Sequence, residues 1–144
     1  MATDHTGRVL LVEDEEAVRR VMRRILEKGG FAVEGAATGA EAIRVSREAD
    51  EPFDALLTDV VLAGGMSGPD LAAAMQKQDR DLGCVLVSGW TQEHLVNHGA
   101  VGSGCIFLAK PFTVESLLEA VSFAVYWRRI AAPQAGCGTP PVDG

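Results

Sequence analysis

A chain of 144 residues is sized for one domain whose single core can bury most of its apolar surface, and its 47% apolar and 23% charged residues are those of an ordinary globular protein. The net charge of -7 offers no basic stripe to neutralise phosphates and so argues against nucleic-acid binding. No apolar run approaches the roughly 20 residues that a membrane helix needs, and the opening MATDHTGR holds no stretch of signal-peptide type.

Residues 1–7 read as a short N-terminal extension to a domain spanning 8–132. The first apolar run, Val9–Glu13, is short, aliphatic and not alternating, as in a parallel strand buried on both faces. Next, Val18, Val21, Met22, Ile25 and Leu26 form one helical stripe with Arg19, Arg20, Arg23 and Arg24 turned outward, and Gly29-Gly30 ends the helix. A second strand, Phe31–Ala36, leads to the capping-box pattern Thr38-Gly-Ala-Glu41 and a second helix. The third strand is Ala55–Asp59, and Ser67-Gly-Pro-Asp70 opens a third helix. After a fourth strand, Cys84–Ser88, Thr91 caps a short helix limited by Gly99. The fifth strand, Cys105–Ala109, precedes a long helix capped by Thr113, with a core stripe of Val114, Leu117, Leu118, Val121 and Val125. The Pro- and Gly-rich stretch 133–144 is expected to be a disordered tail.

Five strand–helix units in this order predict an α/β fold, an open doubly wound parallel sheet. In such sheets ligands bind beyond the carboxyl ends of the strands. Those ends hold Glu13-Asp14 after strand one, Asp59 on strand three, Ser88 on strand four and Lys110 after strand five. Three carboxylates brought to one edge repel one another and call for a cation, and all-oxygen donors with room for water suit Mg2+. With that ion in place Asp59 can act as a carboxylate nucleophile towards a phosphoryl group, while Lys110 and Ser88 hold the transferred oxygens. Taken singly, Asp59 could be an idle loop acid, Lys110 a surface lysine and Ser88 a turn cap; their convergence favours a site. Glu15 and Glu16 read better as helix-start charges than as ligands.

The stretches VLLVEDEE (9–16), LLTDVVLAGGMSG (56–68), VLVSGW (85–90) and FLAKPF (107–112) together resemble the receiver domain of bacterial response regulators, the CheY-like superfamily of two-component phosphorelay signalling. The likeness covers roughly residues 8–130, and the SGW segment is most similar to receivers of hybrid histidine kinases. It implies a flavodoxin-like (βα)5 fold with strand order 2-1-3-4-5 and helices on both faces. It implies that Asp59 is the phosphoacceptor and that Asp14, Glu13 (through water) and the Val61 backbone carbonyl serve the magnesium. It implies that Ser88 grips the phosphoryl group, that Phe107 is a switch aromatic, and that the Lys110-Pro111 bond is cis. The phosphodonor would be a histidine kinase or a histidine phosphotransfer protein. Phosphorylation would alter the surface formed by the Thr91 helix, the fifth strand and the Thr113 helix. Such a domain catalyses only its own phosphorylation and dephosphorylation, and is not an enzyme with turnover on an outside substrate.

This sequence departs from the family pattern at Glu13, where aspartate is commoner, and at Ala63, where proline is frequent; the loop Leu62–Gly68 reads one residue longer. Apolar Val61 and bulky Trp90 cannot orient an attacking water, which predicts slow loss of the phosphoryl group. His94 and His98 are four apart without a third ligand nearby, so they read as exposed or partner-facing side chains. The odd cysteine count, Cys84, Cys105 and Cys137, without a CxxC pair, predicts reduced thiols and a cytoplasmic location. On the last helix Phe123, Tyr126, Trp127 and Ile130 lie opposite the core stripe, which suggests a docking surface or a homodimer. A nucleotide-binding enzyme of the same fold would want a Gly-rich turn where this chain has EDEE. The remaining alternative is a degenerate receiver that binds proteins without being phosphorylated.

Overall fold

The computed structural model describes residues 7–89 and 105–131. Within them the chain runs β1 (Gly7–Val12), α1 (Glu16–Lys28), β2 (Phe31–Ala36), α2 (Gly39–Glu48), β3 (Ala55–Asp59), α3 (Gly68–Gln78), β4 (Gly83–Ser88), β5 (Cys105–Ala109) and α4 (Val114–Ala131). The helix expected after Thr91 lies outside the described residues, so α4 is the helix that Thr113 opens.

All strand pairs are parallel, and the sheet order is β2-β1-β3-β4-β5. This is the doubly wound, flavodoxin-like arrangement. The central strands are aliphatic because both of their faces are covered. Val9 and Leu11 point into a core with Met22 and Leu26 of α1 and Leu117 and Val121 of α4. Leu10 and Val12 point the other way, onto Ala42 of α2 and Leu71 and Met75 of α3. Alternate residues of one strand thus feed two cores, the period-two geometry of a pleated sheet.

The caps form much as the sequence suggests. Ser67 and Asp70 make a reciprocal capping box at α3, and Thr113 and Ser116 exchange hydrogen bonds at the start of α4. Thr38 Oγ1 accepts the Glu41 N–H at 3.1 Å, but the Glu41 carboxylate reaches past Thr38 to the Ala37 N–H at 2.9 Å.

Two helical stripes are narrower than the sequence implies. On α1 only Met22 and Leu26 are buried and Val21 is 58% exposed; on α4 Val114 is 53% exposed. The two residues line a shared groove of about 480 Å³ between α1 and α4, with Ile25 and Leu118. Nor do all the arginines of α1 turn outward. Arg19 and Arg23 fold back onto the carbonyl oxygens of Glu13 and Val33.

Candidate functional site

The carboxyl edge of the sheet is shaped by how β1 and β3 end. Past Val12 the chain leaves the sheet, and three bonds fix the turn at Glu13. Its N–H donates to the Ala36 carbonyl of β2 at 3.1 Å. Its carbonyl accepts from Arg19 Nη1 at 2.6 Å. Its carboxylate Oε2 accepts the Glu15 N–H at 3.1 Å. Asp59 closes β3 beside Val87 of β4, and the Thr58 hydroxyl donates to the Asp59 carbonyl at 3.0 Å.

Gly68 fixes the return of the chain from β3 into α3. Its N–H donates to the Val60 carbonyl at 2.8 Å, and a Cβ added there would lie 2.0 Å from the Asp59 carbonyl oxygen. Only glycine lets α3 start this close to the strand end. The sequence SGPD reads as a cap and gives no sign of this approach.

These constraints gather the acids. Carboxylate oxygens of Glu13, Asp14 and Asp59 all lie within 4.8 Å of one another, with Glu13 and Asp59 buried and Asp14 exposed. Lys110 Nζ stands 3.3 Å from Asp59 Oδ1. Its backbone N–H donates to the Ser88 carbonyl at 2.9 Å, and the Lys110-Pro111 bond is cis. Ser88 is buried at the end of β4. Glu13, Asp14, Asp59, Ser88 and Lys110 therefore share one edge.

Phe107 is half-buried on β5 and packs against the core beneath α2 and α3. The Val61 side chain is exposed. Trp90, His94 and His98 lie outside the described residues. Glu15 supplies the backbone start of α1 without a side-chain cap, and Glu16 pairs with Arg20 at 2.9 Å, so both behave as helix-start charges.

Three carboxylates face a single lysine, and the strain appears at Glu13. Its carboxyl is pushed up to about 8, first by burial, then by its hydrogen bond with Asp59, with the Asp59 charge adding to the rise. Burial and the neighbouring acids thus both disfavour the charged form of Glu13. Oxygen-only donors at this spacing fit a hard divalent cation, with Glu13, Asp14 and Asp59 as the residues to hold it.

A cation-ready acidic pocket at the carboxyl edge of a 2-1-3-4-5 sheet marks a signalling module of receiver type. The model of the response regulator receiver domain matches residues 9–122, and the chain belongs to that family, the receiver domains of two-component systems.

Among its relatives is the sensor kinase CckA of Brucella abortus (strain 2308), 36% identical over 122 residues, which are 83% of this chain but 13% of that protein. The response regulator receiver protein CpdR of the same organism is 33% identical over 79% of this chain and 92% of its own length. The crystal structure of the receiver domain from the hybrid histidine kinase CckA superposes with a TM-score of 0.67 at 33% identity, covering 83% of this chain and 99% of that one.

Proposed function

We propose that this receiver is a phosphoacceptor, with Asp59 taking a phosphoryl group from the phosphohistidine of a histidine kinase or of a histidine phosphotransfer protein. The observation that carries the reading is the cluster of Glu13, Asp14 and Asp59 with Lys110 against the last of them. An Asp59 carboxylate oxygen attacks phosphorus in line with the departing imidazole. The new O–P bond forms as the N–P bond breaks, and the ring nitrogen leaves with the electron pair.

Mg2+, held by Asp14, Asp59, the Val61 carbonyl and, through water, Glu13, would neutralise the oxygens of the transferring group. Lys110 moves from the carboxylate to a phosphoryl oxygen, and the Ser88 hydroxyl donates to another. Phe107, already packed at the edge of the core, responds to the movement of Ser88 and carries the change to the surface of β5 and α4. The chemistry is self-directed and the module acts in the cytoplasm.

Slow hydrolysis is expected from the apolar side chain of Val61, which stands exposed beside the acceptor and offers an attacking water no partner. Val61→Asn should shorten the phosphoryl lifetime, and timing phosphate loss by intact mass checks it.

The reading as a whole is tested by incubating the full chain with Mg2+ and a small acyl phosphate, then weighing it. One phosphoryl group should appear on the wild type and none on Asp59→Asn. A wild type that stays unmodified would support instead a degenerate receiver that only binds partners.

A further inference from the structure

We propose that Arg19 is a positioning residue for the acidic pocket: lying across Gly35, it clamps the Glu13 carbonyl and thereby aims the carboxylates of Glu13 and Asp14. The proposal rests on reading the pocket as a cation site.

Three observations lead to it. The Glu13 peptide is the pivot between β1 and α1. Its N–H is held by β2 at 3.1 Å and its carbonyl by Arg19 Nη1 at 2.6 Å, so the turn is gripped from both sides. The second observation is the path of the arginine. Arg20, next in sequence, takes Glu16 of its own helix as partner, whereas Arg19 leaves the helix surface and returns to the strand end.

The third is Gly35. A Cβ built on it would meet Arg19 Cδ at 3.3 Å and Nε at 3.7 Å. Glycine weakens a strand interior. On β2, at the edge of the sheet, it leaves a trough in which the arginine stem lies. With that stem in place, the guanidinium also brings a fixed positive charge to the turn that carries two of the three acids.

Groups that orient metal ligands from outside the coordination sphere commonly change metal affinity by 10–100-fold when removed. Calorimetric titration of the full chain with Mg2+ tests this. Arg19→Met keeps the stem but not the donor, and should weaken Mg2+ binding about tenfold. Arg19→Lys, which can still donate to the carbonyl, should recover most of the loss.

Gly35→Val is the second arm. The Gly35 backbone is not in the left-handed region that favours glycine, but the added side chain crowds the Arg19 stem and should weaken Mg2+ binding in the same direction. Melting temperature without Mg2+ is measured alongside, since a merely structural arginine would lower it and leave the affinity unchanged. Wild-type affinity in both Arg19→Met and Gly35→Val overturns the proposal while the cation site stands. A wild type that takes up no Mg2+ at millimolar concentration overturns the cation site and the proposal with it.

Discussion

Glu13 concentrates the electrostatics of the pocket in one side chain. In the metal-free protein its carboxyl keeps a proton up to about pH 8, because it is buried and hydrogen-bonded to Asp59. The folded state therefore binds that proton more tightly than the unfolded chain does. The resulting stability is full below the unfolded value near 4.5 and is lost as pH rises through about 8. In the presence of a chelator the melting temperature should fall as pH is raised across that window. Saturating Mg2+ or Glu13→Gln should flatten the fall, and a chelated wild type with no fall would contradict the assignment. The acids themselves are legible in the sequence, since Glu13-Asp14 and Asp59 each end an aliphatic run. The residues that aim them are not. Arg19 has the helical spacing of an outward charge, and only the position of Gly35 on a neighbouring strand shows where it goes.

At the scale of elements, the strands are readable because they are buried on both faces and leave no alternation to misread. Of the five expected, Phe31–Ala36, Ala55–Asp59 and Cys105–Ala109 coincide with β2, β3 and β5. Helix faces are harder. An apolar stripe tells which side of a helix is inward but not how wide the covering surface is, so Val21 and Val114 share the periodicity of a core that does not reach them.

The junction of β3 and α3 shows the same limit. Its capping box is local and readable, while the approach of Gly68 to the Asp59 carbonyl depends on tertiary packing. Gly68→Ala has no room for its methyl group without shifting the strand end. It should destabilise the domain by about 3 kcal/mol or more, in the range of overpacked or strained positions. Urea unfolding followed by circular dichroism measures this, and a loss below about 1 kcal/mol would mean that the junction yields easily.

At the scale of the whole molecule, charged groups gather at both ends of the sheet. The acidic pocket occupies one edge of the sheet. At the opposite end Arg128 of α4 is tied to Asp79 at 2.7 Å and Asp54 at 3.4 Å, and Asp54 also accepts the Arg8 N–H at 2.8 Å. These ties hold α4 by its C-terminal half while its outer face stays bare. Phe123, Tyr126, Trp127 and Ile130 are 58, 56, 40 and 41% exposed, a continuous apolar stripe on a helix that already has its core contacts. Stripes of this kind mark association surfaces. We propose it as the docking or homodimer surface that the sequence suggests, so Trp127→Ala should weaken self-association or kinase binding. Sedimentation of the phosphorylated chain reads the outcome, and unchanged association in the variant would remove the stripe from that role.

Every step of the functional reading passes through one carboxylate, so the most direct measurement identifies the residue that carries the phosphoryl group. Borohydride reduces an aspartyl phosphate to homoserine, which peptide mass mapping locates. After treatment with Mg2+ and an acyl phosphate, homoserine should appear at position 59, and a chelator should abolish it. Homoserine at Asp14 or another aspartate in its place, or labelling of Asp59 that persists without a divalent cation, would contradict the account.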